Sequence, residues 1–501
     1  MAWNLEEFFK DKRDCLNSIE RLKKISEKIL IYDKSDLKSK SDVIKFLKLY
    51  KTYSELEYEF LAYFDLLEIE NYENPNLTEY RGRLKKISTS LASFFNSAFE
   101  KINDDNLLEL YNVEDEYKKI FDNYVGSLEC ETIRHINTFN ALNNDVTSLN
   151  LEPEKFKHSF LEIINNYFAS FLDDDSYEDI VFSNHLEIEK SDLRRLFKIL
   201  GQNSHLNLNY CDILLENEDL MFPKISYESA KERNLKSYKI FGDEYLNLVK
   251  DAFNSNRIDY KLRKNKSNAN VTFPIKKHNA FVSINYNEDI ESVLTLSHEL
   301  GHMVDHDIKL KNNRDSFAST ANELFSLTNE LITGEYLLSN SNTLEEKLCV
   351  SLELMEIYMI NIFETISTVD LTLRVNRKIL KDGYIDLKSI NNMASNIIKK
   401  YNLISTKYFW IDERLFEMLD QIVYTYGMIG ASNINNCIKN KTFSIKDYIE
   451  ALKKSDDEGF EIYDMLGCNP TNENNINNAV NNYKNLLENT KDLVYEKKKR
   501  R

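Results

Sequence analysis

The spacing of apolar residues along the chain predicts a mainly α-helical protein. Between Leu5 and Ile29, apolar side chains recur every three or four positions with charged residues between them, which is typical of a helix that buries one face. Polar clusters of Asn, Asp and Ser separate further segments with the same spacing, at 41–70, 78–101, 107–125, 154–173 and 190–200. These segments predict an N-terminal helical lobe over residues 1–200.

The region after residue 270 departs from this pattern. Val271–Ile275 and 280–286 are rich in β-branched and aromatic residues, which predicts two strands of a small sheet, and Pro274 favours an edge position or an early end for the first strand. Asn287-Glu288-Asp289 follows and offers N-cap side chains for a helix whose apolar positions run from Ile290 to Val304. We expect this strand-to-helix unit to lie in a second domain, over residues 201–501.

Composition narrows the class of protein further. The chain of 501 residues has only 11 Gly and 5 Pro, which argues against turn-rich sandwiches and barrels. Its net charge of −17 argues against a nucleic-acid-binding protein. We expect no membrane span or export signal, and six scattered cysteines without a CxxC pair fit a reducing cytoplasm. The KKKRR run at 497–501 is expected to be a solvated tail without an assigned function.

The predicted helix after the strands contains the sequence His298-Glu299-Leu300-Gly301-His302. Two histidines four residues apart lie one turn apart on one helical face, so both imidazoles can bind one zinc ion while Glu299 reaches water at the metal. The alternative is a surface helix with solvated histidines. The apolar flanks in LTLSHELGHMV favour a buried helix and therefore the metal site.

A third ligand has to come from another segment, because catalytic zinc sites use three protein ligands. The segment SFASTANELFSLTNELITGEYLL offers Glu323, Glu330 and Glu335. Glu323 and Glu330 are seven residues apart and share one helical face, so we expect one to bind zinc and the other to orient a histidine. His306 is too far along a straight helix to join the same metal and is expected to be solvated.

Residues 278–302, HNAFVSINYNEDIESVLTLSHELGH, resemble the strand-helix signature of the oligoendopeptidase F family, relatives of thimet oligopeptidase. Trp3-Asn4-Leu5, Tyr227-Glu228-Ser229-Ala230-Lys231 and the late segment YIEALKKSDDEGFEIYDMLGCNP are similar to other parts of that family. The resemblance covers nearly the whole chain. It implies a mainly α fold with two helical lobes around a deep substrate channel, a small β-sheet beside the zinc-binding helix, and one zinc ion per chain.

The resemblance also implies roles for individual residues. The family carries its third ligand as the first Glu of an E-x-x-S-x-x-N-E segment, which Glu323–Glu330 matches, so Glu323 is the implied ligand and Glu330 the residue that orients a histidine. A competing register would place Ser316 at the ligand position and remove the carboxylate. The continuation ELITGEYLL favours the first register.

The chain departs from the family near its C-terminus. The family uses a His and several Tyr there to bind the substrate carbonyl and the oxyanion, whereas no histidine follows His306 in this chain. The corresponding stretch, 410–416, leads to Tyr424 and Tyr426. We expect Tyr424 to donate to the oxyanion and Tyr426 to contact substrate; the alternative is that both are packing residues.

The prediction from sequence is a zinc metalloendopeptidase that hydrolyses short unfolded peptides. His298, His302 and Glu323 would bind zinc, and Glu299 would act as the general base. The strand at 280–286, with Ala280, Val282 and Ile284, would pair with the peptide backbone. One alternative is a zinc-binding pseudoenzyme that binds peptides, and another is an enzyme that matures one peptide precursor. The oligomeric state stays undetermined.

Overall fold

The structure is a computed structural model. It describes residues 3, 5–30, 37–104, 106–115, 117–121, 161, 165, 188–217, 220, 223–312, 314, 320–403, 421–454 and 460–500. Several predictions therefore lie outside the described residues: nearly all of the helix at 154–173, the stretch 410–416, and Ser316 with its competing register.

The chain divides into two compact units. The first consists of Met1–Thr138 with Asn256–Ala269, so a short segment from the middle of the sequence belongs with the N-terminal helices. Its elements are α1 (Lys12–Leu30), α2 (Lys40–Glu70), α3 (Leu77–Asp104), α4 (Leu107–Leu110) and the short strand β1 (Ile258–Asp259). The sequence did not indicate this inserted segment, and the domain boundary after residue 200 stays a prediction.

The second unit consists of Phe139–Ser255 with Asn270–Arg501. It contains the strands β2 (Val271–Ile275) and β3 (His278–Ser283). Its helices are α5 (Lys190–Asn203), α6 (His205–Leu215), α7 (Tyr227–Ser237), α8 (Gly242–Asn254), α9 (Ile290–Lys311), α10 (Asn322–Asn340), α11 (Leu344–Tyr358), α12 (Thr365–Asp382), α13 (Leu387–Tyr401), α14 (Ile422–Lys439), α15 (Ile445–Lys454), α16 (Glu461–Met465) and α17 (Glu473–Arg500). A 3₁₀ turn at Tyr238–Phe241 precedes α8, and a π-helical turn at Met359–Glu364 precedes α12.

The mainly α fold with a small sheet is confirmed, and local chemistry explains where elements begin. Helix α1 begins at Lys12 rather than near Leu5, because the Asp11 side chain accepts the backbone N–H of Asp14 at 2.8 Å and caps the helix there. No helix among the described residues combines the length and apolar character needed to cross a membrane.

Strands β2 and β3 form an antiparallel pair that packs against α9. The register between them shifts between Phe273 and Ile275, at Pro274, which has no N–H to give to the ladder. Strand β3 ends at Ser283 instead of 286. Beyond Ser283, the backbone N–H of Asn285 donates to the Asn270 side chain at 2.8 Å and not to the backbone of β2. The Asp289 carboxylate then accepts the N–H of Ser292 and caps α9, as the sequence predicts.

Helix α10 packs against both α9 and α14, and a glycine lies at each crossing. A Cβ on Gly301 of α9 would lie 2.6 Å from the Ser326 Cα, and a Cβ on Gly427 of α14 would lie 2.7 Å from the Glu323 carbonyl carbon. Real Cβ atoms do not approach backbone so closely. The helices can therefore make this contact only with glycine at both positions.

A buried polar network fixes how α9 and α10 face each other. The Asn329 amide donates to the Ser297 carbonyl at 3.1 Å and accepts from the Tyr245 hydroxyl at 2.8 Å. The Ser297 hydroxyl lies 2.6 Å from the Tyr238 hydroxyl and 2.8 Å from that of Thr333. Because buried polar groups lose free energy when unpaired, rotation of either helix about its axis would be costly.

We predict that Gly301→Ala lowers the melting temperature, because overpacking a helix crossing costs about 1–3 kcal/mol. Differential scanning calorimetry of the purified protein measures this change. Gly82→Ala is the matched control, since a Cβ at this exposed position in α3 meets nothing within 4 Å and Ala favours a helix over Gly by ~1 kcal/mol. A Gly301→Ala protein that melts like the wild type would contradict the close crossing.

Candidate metal centre

The two histidines of the HELGH segment lie side by side on α9. The Nε2 atoms of His298 and His302 are 3.0 Å apart. His302 lies one helical turn after His298. The two rings therefore direct a nitrogen each toward a common point, as the four-residue spacing predicts.

Glu323, in the first turn of α10, completes a triangle with these histidines. Its Oε2 atom lies 3.4 Å from His298 Nε2 and 3.5 Å from His302 Nε2. Ligands at about 2.0–2.1 Å from a tetrahedral zinc ion are roughly 3.3 Å from each other, so the three atoms match the edges of such a site. In the described part of the chain, this is the one group of three His, Cys, Asp or Glu side chains whose ligand atoms lie within 4.8 Å of one another.

The electrostatics of the triangle suit a cation. Burial lowers the pKa of His298, but Glu330 and Glu323 outweigh this effect and raise the pKa to about 10. Burial raises the pKa of Glu323, but His302, His298 and the Ser326 hydroxyl outweigh this effect and lower the pKa to about 2. The carboxylate is thus held ionised beside nitrogens that attract positive charge, and a metal ion has to displace a proton to bind.

Glu330 lies two turns after Glu323 on α10. Its Oε1 atom is 3.6 Å from His298 Nδ1, the ring nitrogen that does not face Glu323. A carboxylate beside the far nitrogen of a ligand histidine holds the ring in place and raises its basicity. The structure therefore brings Glu323 and Glu330 to the two sides of His298, which is the arrangement that the first register implies.

Glu299 is 5% exposed, and its carboxylate Oε2 accepts a hydrogen bond from the Thr272 hydroxyl at 2.6 Å. Thr272 belongs to β2, and sequence reasoning missed it. The only signal for it was a hydroxyl side chain on the predicted edge strand that immediately precedes the HELGH helix.

These groups line a cavity of about 250 Å³ within the second unit. Its walls are formed by Asn270, Val271, Thr272, Pro274, His298, Glu299, His302, Asp305, His306, Lys309, Asn322, Glu323 and Tyr424. His306 was expected to be solvated, and that expectation is wrong. It is 7% exposed, and its Nε2 lies 2.8 Å from the His278 carbonyl, because α9 packs on the hairpin there.

Tyr424 and Tyr426 have different positions, although both are in α14. Tyr424 lines the cavity and makes a hydrogen bond to Glu323. The negative charge of Glu323, together with burial, raises the pKa of the Tyr424 hydroxyl well above its usual value, so it remains a donor. Tyr426 is fully buried and packs edge-on against Phe460 at 5.0 Å. Residues two apart on a helix point to nearly opposite faces, so the structure does not bring Tyr426 to the cavity.

The three strand residues predicted to contact substrate do not line the cavity either. Ala280, Val282 and Ile284 are buried, and β3 pairs with β2 through most of its length. The strand that faces the cavity is β2, through Val271, Thr272 and Pro274, together with Asn270 immediately before it. Pairing of a peptide with 280–286 stays a prediction.

Comparisons with known proteins give a consistent result. The sequence is 24% identical over 377 residues to an oligoendopeptidase F homolog of Borreliella burgdorferi, covering 70% of this chain and 63% of that protein. It is 21% identical over 403 residues to one of Lactococcus lactis, covering 75% and 63%. The chain thus spans less than two thirds of the length of these relatives. No protein-family model matches the sequence.

Solved structures share the fold. A candidate peptidase from Chlamydophila abortus superposes with a TM-score of 0.73 at 13% identity, covering 98% of both chains. Oligoendopeptidase F from Enterococcus faecium gives a TM-score of 0.55 at 17% identity, again covering 98% of both chains. Its sequence relatives are oligoendopeptidases F and its fold is shared with a solved oligoendopeptidase F, so the chain resembles that family and diverges from it in sequence.

Proposed function

We propose that the chain is a zinc-dependent endopeptidase that hydrolyses short, unfolded peptides in the cytoplasm. The observation that carries this proposal is the triangle of His298, His302 and Glu323 ligand atoms, 3.0–3.5 Å apart, with Glu299 beside it in a cavity. The names of the sequence relatives, oligoendopeptidase and oligopeptidase, support a peptidase over other hydrolases.

His298, His302 and Glu323 would hold the zinc ion. In a three-ligand site, zinc supplies Lewis acidity that activates water and polarises a carbonyl group. Glu330 holds the His298 ring from the side away from the ligand triangle. The chemistry of the donor set, two imidazoles and one carboxylate, fits zinc well.

Glu299 is the proton carrier. Its carboxylate takes a proton from the attacking water as the new carbon–oxygen bond forms at the scissile carbonyl. It then delivers that proton to the amide nitrogen as the carbon–nitrogen bond breaks, so the amine leaves uncharged. The burial of Glu299 keeps bulk water away from this transfer.

Tyr424 is the donor for the oxygen that becomes negatively charged during attack. Its hydroxyl lies at the cavity wall beside Glu323, and a placed donor stabilises a developing oxyanion. No histidine follows His306 in the sequence, so the family's histidine donor has no counterpart. Tyr424 therefore carries more of this stabilisation than a tyrosine with a histidine beside it.

The missing histidine is also the observation that favours a second candidate function, the maturation of one dedicated peptide. A site with one donor fewer hydrolyses generic peptides slowly unless its own substrate supplies the missing bond. Incubation with a mixed peptide library, followed by mass spectrometry, separates a general peptidase, an enzyme with one dedicated peptide and a peptide-binding pseudoenzyme. A general peptidase cleaves many peptides, a specialist cleaves few, and a pseudoenzyme binds without cleavage.

We predict about one zinc per chain, with the metal lost in His302→Ala and in Glu323→Ala because each removes a ligand. Glu330→Ala should retain part of the metal, with an affinity lower by roughly 10- to 100-fold. Plasma emission spectroscopy and chelator competition measure both effects. The exposed His205 on α6 provides the control His205→Ala. Full zinc in Glu323→Ala would disprove the third ligand.

We predict that Glu299→Gln keeps its zinc and hydrolyses peptides about 100-fold more slowly or worse, because the amide cannot accept the water proton. Glu291→Gln is the matched control, since Glu291 is an exposed glutamate in the first turn of the same helix. Turnover rates on the best library peptide provide the measurement. Equal rates for Glu299→Gln and wild type would remove Glu299 from the mechanism.

We predict that Tyr424→Phe lowers kcat by about 100- to 1,000-fold, the usual loss when one oxyanion donor is deleted. The phenyl ring keeps its packing, so the melting temperature should match the wild type, and kcat is measured at saturating zinc because the variant also loses the hydrogen bond to Glu323. The buried Tyr426 provides the comparison Tyr426→Phe, which should leave kcat within about threefold because its ring lies away from the cavity. Undiminished kcat in Tyr424→Phe would show that this tyrosine is structural.

A further inference from the structure

Thr272 makes two contacts with one residue of α9. Its Oγ1 atom lies 2.6 Å from the Glu299 carboxylate Oε2 and 2.9 Å from the Glu299 backbone carbonyl oxygen. A hydroxyl has one hydrogen to donate, and an ionised carboxylate is the stronger acceptor. The short distance to Oε2 is that of a charge-assisted hydrogen bond.

The hairpin holds Thr272 rigidly. Thr272 pairs with Val282 across the β2–β3 ladder, so its backbone is fixed by strand pairing, and its β-branched side chain has few rotamers. The hydroxyl therefore approaches Glu299 from a fixed direction. Both residues line the same cavity as the ligand triangle.

A glutamate side chain has three torsions, so its position on the helix does not by itself fix the direction of its carboxylate. Its neighbours at the site, the ligand histidines and Tyr424, are placed by helices that cross at glycine contacts. The direction of the Glu299 carboxylate depends on an additional bond. Within the part of the chain that the structure describes, the Thr272 hydroxyl donates this bond to Glu299.

We propose that Thr272 is a positioning residue that holds one oxygen of the Glu299 carboxylate, so that the other oxygen is presented to the attacking water. The inference rests on the proposed peptidase function and assigns β2 a part in the reaction besides lining the cavity. Thr272 does not touch substrate or metal in this role. It acts through Glu299.

The test compares Thr272→Val, which keeps the shape and removes the hydroxyl, with Thr272→Ser, which keeps the hydroxyl. Outer hydrogen-bond partners in metal sites typically contribute 10- to 100-fold. We expect Thr272→Val to lower kcat at least 10-fold with KM within about twofold of wild type and zinc content unchanged. Thr272→Ser should recover kcat to within about threefold.

Two controls separate positioning from folding. The Thr372 hydroxyl on α12 is buried and donates to the Thr368 carbonyl at 2.9 Å. Thr372 does not line the cavity, so Thr372→Val should keep kcat. In a Glu299→Gln background, Thr272→Val should cause no further loss, because residues that act through one another are not additive. An additive loss would show that Thr272 acts independently of Glu299 and would overturn the inference.

A binding measurement decides the question independently of turnover. Acetohydroxamate is an oxygen chelator of zinc, and at the proposed site it would compete with water in the cavity that Glu299 lines. By calorimetry on zinc-loaded protein, Thr272→Val should bind it about 10-fold more weakly, and Thr272→Ser like wild type. Equal affinity and equal kcat in Thr272→Val would overturn the role of Thr272, and so would loss of zinc from that variant.

The two proposals fail in different ways. A wild-type protein that binds zinc and cleaves no peptide contradicts the proposed function, while the acetohydroxamate titration still decides the role of Thr272. A wild-type protein that cleaves peptides at the same rate as Thr272→Val contradicts only the role of Thr272. A wild-type protein without zinc overturns both.

Discussion

The crossing of α9 and α10 is the contact on which the candidate site depends. A side chain at Gly301 would collide with the backbone of Ser326, so the helices can approach closely only because this position has no Cβ. Gly301 lies between the two histidines in sequence, and Ser326 lies one turn after Glu323. The same close approach that buries apolar surface along the helices therefore also sets the distance from Glu323 to the imidazoles. Gly427 has the same role where α14 crosses α10. Because it has no Cβ, the helices approach closely enough for Tyr424 to make a hydrogen bond to Glu323.

Close packing of this kind concentrates charge. Glu299, Glu323 and Glu330 are all at least nine-tenths buried, and they surround two imidazoles. Burying charges without compensation is expensive, and the protein offsets part of this cost with hydrogen bonds from Thr272 and Ser326. A protonated His298 offsets more. A divalent cation at the triangle would neutralise two of the three carboxylate charges, which is the physical reason behind the proposal that this cluster holds a metal. The hydrogen bonds around Ser297 and Asn329 fix how α9 and α10 face each other. These groups are uncharged, so the arrangement does not depend on their protonation.

The site combines a family pattern with a change in its donors. The proposed ligands and base occupy positions in the HELGH and ELFSLTNE segments that the family resemblance implies, while the histidine that the resemblance implies near the C-terminus is absent from the sequence. A single tyrosine hydroxyl at the cavity wall leaves fewer fixed hydrogen bonds for the reacting carbonyl. On the proposed mechanism, such a site would depend more on the orientation of its remaining groups, and the proposed positioning of Glu299 by Thr272 would then have a larger effect on rate.

Local sequence determined much of this protein. The three- and four-residue spacing of apolar positions specified the helices, because burial of one face is encoded by neighbours in the chain. The HELGH spacing placed two histidines and Glu299 on one helix, and the seven-residue interval placed Glu323 and Glu330 on one face of another. Tertiary structure alone decided the rest. It brought Thr272 to Glu299, turned Tyr424 toward the cavity and Tyr426 away, buried His306, assigned β2 rather than β3 to the cavity wall, and placed 256–269 with the N-terminal helices. Each of these depends on which elements pack together and at what distance, and periodicity within a segment contains no information about its partner.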